Sequence, residues 1–278
     1  MGDIYGSHFE YAGVSSREYG LIIATVESDK MIQLSGEITG STIYNRASNK
    51  QFLVGNDMSE SPLSFEVEFV TDDNSIMLQQ RRKAIEKWLF NRHNYRKLYF
   101  DIADDCYGEM SEFDGSTRKR LYLNCRFVNP SKLEYNGGIV GYRATLEADS
   151  GFFWQDPTTR FFRLGHVSVE SQSDIVIDVD SDWDEYIYPK VSFTMGGDGG
   201  DLILINNSDD STRFTKFSGV MGLATVTMRG EVNYVSGDYY NKFSVRNFPR
   251  LLDGNNNFTV HGNVSTITFE FQNRRNLS

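Results

Sequence analysis

Cysteine and histidine are scarce in this sequence, which limits the chemistry that it can support. Its 278 residues include two cysteines and four histidines. No CxxC pair and no Cys/His cluster occurs, so a zinc site is not predicted. We interpret Cys106 and Cys125 as reduced, partly buried thiols, and a disulfide between them is the alternative.

Long apolar runs and an excess of basic residues are also missing. No stretch reaches the roughly 18 apolar residues of a membrane-spanning helix, and residues 1–7 lack the basic region and apolar run of a signal peptide. We therefore expect synthesis in a cytosol and no membrane partner. The formal net charge of −10 argues against a binder of duplex DNA. An acidic surface can still let DNA pass without binding, because like charges repel each other.

Motifs of catalysis and cofactor binding are not found either. No G-x-S-x-G motif occurs, and nothing indicates the convergent acid and base that a hydrolase needs. The glycine-rich residues 196–200 are followed by the strand-like residues 201–205. A phosphate loop would end in Lys-Ser/Thr and open a helix, so we interpret this segment as a hairpin turn. No cofactor is expected.

An acidic run offers a weak candidate for calcium binding. Asp178, Asp180 and Asp182 have the spacing of the first three ligands of an EF-hand loop. Trp183 stands where that loop requires Gly, and Pro189 where it requires Glu. A solvated acidic loop is the favoured interpretation, and loose calcium binding is the alternative.

Aromatic residues, by contrast, are abundant and point to strands. The chain has 20 Phe and 15 Tyr, and such residues fit a pleated, half-buried surface. Residues 63–69 and 266–271 alternate strictly between apolar and polar side chains, which indicates antiparallel sheets with one solvated face. Further predicted strands are Gly20–Val26, Met31–Ile38, Lys97–Ile102, Arg120–Val128, Tyr142–Ala148, Asp174–Val179, Val191–Met195, Leu202–Asn206, Thr212–Phe217, Leu223–Met228 and Phe258–His261.

One segment has the periodicity of a helix. Residues 75–90 contain neither Gly nor Pro, and Asp72 and Asp73 precede them as candidate caps. An apolar stripe is formed by Met77, Ala84, Ile85, Trp88 and Leu89. The opposite side is mostly basic, with Arg81, Arg82, Lys83, Glu86 and Lys87. We predict an amphipathic helix on a sheet, whose basic side is either a solvated face or a partner surface.

The best domain boundary lies near residue 150. Residues 152–157 form an apolar segment that ends in Pro157 and suits a pinned linker. Beyond it the chain is predicted to be all β, with turns at 196–200, 206–210 and 254–257, as in a sandwich or jelly roll. The predicted fold is thus mainly β, with an N-terminal β-sandwich and one amphipathic helix in residues 1–150 and a second sandwich in residues 151–278.

The two ends of the chain and its middle carry a resemblance to a known family. The matching positions are Phe9, Tyr11, Tyr19, Gly20 and Leu21 near the start, Phe153 and Trp154 at the junction, and Pro249, Leu251, Gly254 and Asn255 in a Pro-x-Leu-x-x-Gly-x-Asn segment. In this order they resemble the distal tail proteins, or Dit family, of long, flexible-tailed (siphovirus) bacteriophages. Segments 36–61 and 104–120 are not matched by these motifs.

The resemblance implies a structural protein of the virion tail tip, assembled in the cytoplasm of the host bacterium. It implies that the N-terminal domains join into a six-membered ring and that the C-terminal domain is a galectin-like sandwich. Such a ring joins the tail tube protein to a tail-associated fibre or lysin protein, supports receptor-binding proteins, and lets DNA and the tape measure pass. The helix at 75–90 and segment 104–120 are the candidate contacts.

Two other functions compete with a structural role. A carbohydrate-binding module would stack an exposed aromatic ring on a sugar, and the candidates are Trp183, Tyr186, Tyr239 and Tyr240. In a chain this aromatic, burial or an interface is the favoured explanation of such residues. A hydrolase is the third hypothesis, without a specific motif to support it.

Overall fold

The structure is a computed structural model. It describes residues 8–26, 38–45, 50–58, 62–73, 75–91, 94–100, 120–165, 168, 170–182, 185–210 and 212–275. It divides between Gln155 and Asp156 into two compact units. Unit 1 runs up to Gln155 and unit 2 covers Asp156–Arg275. Within the described ranges, no helix is long and apolar enough to cross a membrane.

Unit 1 is built mainly from one antiparallel sheet. Its strands are β1 (Phe9–Tyr11), β2 (Val14–Ser15), β3 (Leu21–Val26), β4 (Ile38–Asn45), β5 (Lys50–Met58), β6 (Ser64–Thr71), β7 (Arg96–Phe100), β8 (Leu121–Tyr135), β9 (Gly138–Ala148) and β10 (Phe153–Gln155). The sheet order is β2-β1-β7-β8-β9-β6-β3, and β10 also pairs with β8. Strands β4 and β5 form a separate hairpin inside the unmatched segment 36–61.

The sheet of unit 1 curls around its own core. Strands β7, β8 and β9 lie between β1 and β6 in the sheet order, yet the rings of Phe9 in β1 and Phe69 in β6 are 5.2 Å apart. Phe127 of β8 joins the same cluster, 4.9 Å from Tyr11 and 5.0 Å from Phe69. The two layers of the predicted sandwich are therefore opposite ends of one continuous sheet.

An α-helix of eleven residues, α1 (Gln79–Leu89), packs against this core. Ile85, Trp88 and Leu89 are buried, so the predicted amphipathic helix is confirmed. It begins at Gln79 rather than Ser75, and the predicted Asp caps are wrong. Its N-cap is Leu78, which makes no side-chain cap bond.

The segment before α1 is extended because its backbone forms a hydrogen bond with a distant strand. The Met77 N–H donates to the Ile139 carbonyl at 2.8 Å, which ties the segment to β9. Asp73 instead accepts from the Ser75 N–H at 3.0 Å and so stabilises a local turn. Met77 is buried, as the apolar stripe predicted, but it is not helical.

Unit 2 is a two-layer sandwich, which confirms the prediction. Its strands are β11 (Thr158–Arg163), β12 (Gln172–Val179), β13 (Lys190–Met195), β14 (Gly200–Asn206), β15 (Phe214–Val220), β16 (Thr225–Arg229), β17 (Tyr234–Val235), β18 (Phe243–Arg246), β19 (Gly254–Gly262), β20 (Val264–Phe271) and β21 (Arg274–Arg275). One sheet has the order β11-β20-β13-β16-β17 and the other β12-β19-β14-β15-β18. Rings from both sheets meet between them, such as Phe193 and Phe217 at 5.2 Å.

Pro130 is an exception to the usual placement of proline at the edges and ends of strands. It lies inside β8, where the pairing with β9 shifts register between Val128 and Ser131. Asn129 has a φ of 51° at this irregularity. A bulge leaves a residue outside the hydrogen-bond ladder, so a proline, which has no N–H, is tolerated there. The predicted strand Met31–Ile38 falls almost wholly outside the described residues.

Candidate interaction surfaces

The family-matching positions near the start of the chain, Phe9, Tyr11, Tyr19, Gly20 and Leu21, which we call the opening motif, lie in unit 1. Phe9, Tyr11 and Leu21 are at most 1% exposed and belong to the core. Gly20 ends a short 3-10 turn with a φ of 53°. A Cβ there would lie 2.6 Å from a guanidinium nitrogen of Arg81, so a larger residue would displace that guanidinium, and the left-handed backbone favours glycine.

Helix α1 is fastened to this motif by two side chains. Arg81 donates to the Tyr19 carbonyl through Nε at 2.9 Å and to the Gly20 carbonyl through Nη2 at 3.1 Å. Trp88 donates from Nε1 to the Tyr11 carbonyl at 2.9 Å. The Trp88 ring also stacks on Phe9 at 5.6 Å and on Tyr19 at 4.9 Å. Arg81, one of the basic side chains predicted for a solvated face or a partner surface, thus forms hydrogen bonds within unit 1 instead.

We expect Arg81→Lys to destabilise the protein nearly as much as Arg81→Ala, by about 1–2 kcal/mol in the free energy of unfolding. An ammonium group cannot reproduce the forked contact with two adjacent carbonyls. Urea denaturation of the full chain measures the effect. Lys83→Ala is the matched control because Lys83 is exposed on the same helix, and equal effects of the two alanine variants would contradict the role of Arg81.

The junction residues also belong to unit 1. Phe153 is 2% exposed in the core, 6.0 Å from the ring of Phe100. Trp154 lies opposite Tyr122 in the β10–β8 pair. Both positions, taken from the family resemblance, therefore have structural roles in the first unit.

In unit 2, the Pro-x-Leu-x-x-Gly-x-Asn segment closes one end of the sandwich. Leu251 is fully buried and pairs with Ile187 in an isolated bridge. Pro249 is buried as well, and Gly254 has a φ of 83°. These residues shape a turn.

Asn256, the last residue of that segment, is the residue that sequence reasoning missed. It is fully buried, and its Oδ1 accepts from the Leu252 N–H at 2.9 Å and from Asn206 Nδ2 at 3.0 Å. Its Nδ2 donates to the Leu252 and Gly254 carbonyls at 2.8 and 3.0 Å. Asn255, the position that we matched to the family from the sequence, is exposed. Counting the motif spacing from Pro249 would have identified Asn256.

The candidate calcium ligands are not brought together as a ligand set. Asp180 and Asp182 both accept from the guanidinium of Arg275, at 2.5 and 3.1 Å. Asp178 is exposed on β12. In the part of the chain that the structure describes, no group of three acidic, His or Cys side chains is placed to hold a metal. The acidic run neutralises a largely buried arginine.

The candidate sugar-stacking residues are engaged by the protein itself. The guanidinium of Arg250 lies 3.6 Å from the centre of the Tyr186 ring, and that of Arg246 lies 4.4 Å from the Tyr240 ring. Tyr239 packs on the core of unit 2. Trp183 lies outside the described residues. The described rings are therefore held in cation–π contacts or in the core.

Arg250 also forms a well-buried ion pair that makes unit 2 sensitive to acid. It donates to Asp209 at 2.6 Å, and the two side chains are 19% and 6% exposed. The hydrogen bond from Arg250 lowers the pKa of Asp209 below its ordinary value of 3.8. A lowered pKa in the folded state means that the pair stabilises the fold above the ordinary value, and that this stability is lost as the pH falls through the folded-state pKa.

We expect Asp209→Asn to lower the free energy of unfolding by about 2 kcal/mol at pH 7, with the difference from the wild type shrinking once the pH falls below about 4. The measurement is the urea midpoint of both proteins across that range. Asp198→Asn is the control, because Asp198 is exposed in the 196–200 turn. A difference that stays constant with pH would rule out the ion pair as the cause.

The outer face of the unit 1 sheet gathers aromatic and basic side chains at β7 and β8. We call this group, Tyr95, Lys97, Tyr99, Arg120, Tyr122 and Arg126, the basic face. Lys97 Nζ lies 3.9 Å from the Tyr122 ring centre, Arg120 4.0 Å from that of Tyr99, and Arg126 5.5 Å from that of Tyr95. Beside them is a shallow pocket of about 590 Å³ that Glu10, Arg96 and Asn124 also line. Arg and Tyr are enriched in protein–protein interfaces, so this is a candidate contact surface.

A curled sheet with one helix, followed by a two-sheet sandwich, defines a β-rich structural module whose outer faces suit protein contacts. Two family models match the chain. Residues 4–150 match the phage tail protein N-terminal domain, and residues 162–271 match the phage tail C-terminal domain. The chain belongs to this family of phage tail proteins. No curated protein matches it.

A solved structure has the same fold at low sequence identity. The SPP1 Dit (gp 19.1) protein, described as a paradigm of the hub adsorption apparatus in phages that infect Gram-positive bacteria, superposes with a TM-score of 0.64 at 10% identity, over 95% of this chain and 98% of that one. A chain of the phage P2 baseplate in its activated conformation with Ca has a TM-score of 0.46 at 10% identity, over 91% of this chain and 90% of that one. The resemblance to distal tail proteins is confirmed.

Proposed function

We propose that this chain is the hub subunit of a phage tail tip and that six copies join through unit 1 into a ring. The observation that carries the proposal is agreement along the whole chain. Both units match phage tail domains, and the fold follows that of the SPP1 Dit protein, described as part of a hub, over 95% of this chain. A structural role rather than catalysis is proposed with it.

A closed ring needs two different patches on each subunit, because every copy contacts one neighbour on either side. Unit 1 has outer faces with different side chains and ends its sheet in the strands β2 and β3. Strand edges can be extended by a neighbouring chain. The net charge of −10 per chain supports a channel along which DNA phosphates pass without binding.

The partners proposed for the ring follow from its place in the tail. One side of the ring would dock on the tail tube protein, and the other on a tail-associated fibre or lysin protein. Receptor-binding proteins would attach at the periphery, and the tape measure and DNA would pass through the lumen. Assembly would take place in the cytoplasm of the host bacterium.

The test is the mass of the purified full chain in solution, measured by light scattering after size exclusion over a range of concentrations, with electron microscopy of the largest species. We expect a discrete species of six chains with a central channel. A strict monomer at every concentration, also in the presence of the tail tube protein, would contradict the proposal. A glycan array then tests the carbohydrate-binding alternative.

A further inference from the structure

We infer that copies of this chain bind each other through two opposite outer faces of unit 1. The basic face at β7 and β8 of one copy binds an acidic face at β6 and β3 of the next copy. We define the acidic face as Ile22, Ala24, Glu66, Glu68 and Val70. This inference rests on the proposed ring and specifies the surfaces through which its subunits would join.

The curl of the sheet makes these two faces point in opposite directions. Phe9 and Phe69 meet across the core at 5.2 Å, and side chains alternate between the two faces of a strand. Glu10 and Glu68, which adjoin them in sequence, therefore point away from the core on opposite sides of unit 1. Lys97 lies on the same outer face as Glu10, because Glu10 pairs with Tyr99 and the intervening Leu98 is buried. Surfaces on opposite sides suit head-to-tail association.

Internal ion pairs leave charges of opposite sign on the two faces. On the basic face, Glu10 pairs with Arg120 at 2.9 Å and Glu147 with Arg126 at 2.8 Å. Lys97 is exposed, and among the described side chains no carboxylate pairs with it. A second cation, Arg96, lies exposed at the adjoining pocket.

On the acidic face, Glu68 accepts from Arg143 Nε at 2.7 Å. Glu66 is exposed and forms no direct ion pair with a described cation, although its charge interacts with that of Arg143. Ile22, Ala24 and Val70 beside it are only half-buried. Two carboxylates, Glu66 and Glu68, thus share one arginine, and the face keeps a negative charge next to apolar side chains. It is the counterpart of a cationic face rich in tyrosine.

A second copy of the chain is the occupant that the charges favour. The chain carries a net charge of −10, so another copy offers an excess of carboxylates to Lys97, which no described carboxylate pairs with. The acidic face of another copy supplies both the complementary carboxylate and apolar area. The cations are already held over tyrosine rings, so little side-chain freedom is lost when a partner binds.

The test is a charge exchange in the full chain, followed by sedimentation velocity over a range of concentrations. We expect Lys97→Glu and Glu66→Lys each to raise the concentration of half-assembly by about tenfold or more, because like charges then face each other. The double variant K97E/E66K restores complementarity at every interface, so its half-assembly concentration should return to within about threefold of the wild type. Lys242→Glu in unit 2, the same change in net charge as Lys97→Glu at an exposed residue, is the matched control.

A cross-linking variant separates this inference from the ring itself. Lys97→Cys together with Glu66→Cys, treated with a short bis-maleimide, should give a ladder of covalent multimers, whereas Lys242→Cys with Glu66→Cys should not. Suppose that the wild type forms a ring, that the charge variants assemble as it does, and that the cysteine variant gives no ladder. The assignment of the two faces is then wrong, and the proposed ring still stands. A ladder without a six-chain species supports the faces and counts against the ring. A wild-type monomer without a ladder contradicts both.

Discussion

Replacing Trp88 with alanine is expected to lower the free energy of unfolding by about 3–5 kcal/mol, the usual cost of removing a buried aromatic side chain. Trp88 is 4% exposed and stacks on Phe9 and Tyr19. Its loss leaves a cavity between α1 and the opening motif and also leaves the Tyr11 carbonyl without its indole donor. Both effects weaken the contact between α1 and the opening motif of unit 1.

Differential scanning calorimetry of the full chain measures this effect. For a unit of this size, the transition that contains unit 1 should fall by roughly 10 °C. Trp88→Phe keeps most of the stacking and loses the indole N–H, so about 1–2 kcal/mol is expected for it. Lys87→Ala changes the adjacent exposed residue and should be near neutral. If Trp88→Ala and Lys87→Ala unfold at the same temperature, the helix does not stabilise the sheet through Trp88.

Replacing Asn256 with alanine is expected to destabilise unit 2 by about 2–4 kcal/mol. The side chain uses both donor and both acceptor positions of its amide in hydrogen bonds to Asn206, Leu252 and Gly254. Alanine would leave several of these groups without a partner inside the fold, and each buried group without one costs free energy.

The neighbouring residue provides the control. Asn255 is exposed, so Asn255→Ala should change the free energy of unfolding by no more than about 0.5 kcal/mol. Urea denaturation of both full-length variants gives the comparison. If the two substitutions have equal effects, the buried amide is not what holds the Pro249–Asn256 turn, and the turn must depend on Leu251 and the backbone.

Segments with strong local periodicity were predictable without tertiary information. The alternation in residues 63–69 predicts strand β6, whose side chains from Ser64 to Thr71 do alternate between solvent and core. The apolar stripe of the helix also predicts which residues of α1 are buried. In both cases the spacing of apolar residues along a single element decides the result, so no distant residue is needed.

Features that depend on a distant partner were not predictable in this way. The helix begins late because Ile139 binds the backbone of Met77, and the acidic run at Asp180 is neutralised by Arg275, far along the chain. The rings of Tyr186 and Tyr240 likewise each contact an arginine. Each outcome depends on which side chain folding brings near, and sequence spacing does not encode that distance.

Composition, local periodicity and residue order were sufficient to predict the β-rich class, the amphipathic helix and the motifs that resemble phage tail proteins. The curl of the unit 1 sheet, which brings Phe9 to Phe69, is set by contacts between distant strands. It also sets which charged residues lie on opposite sides of the unit. Burial of the aromatic core drives that closure, and the polar residues between the core positions are carried outward with it.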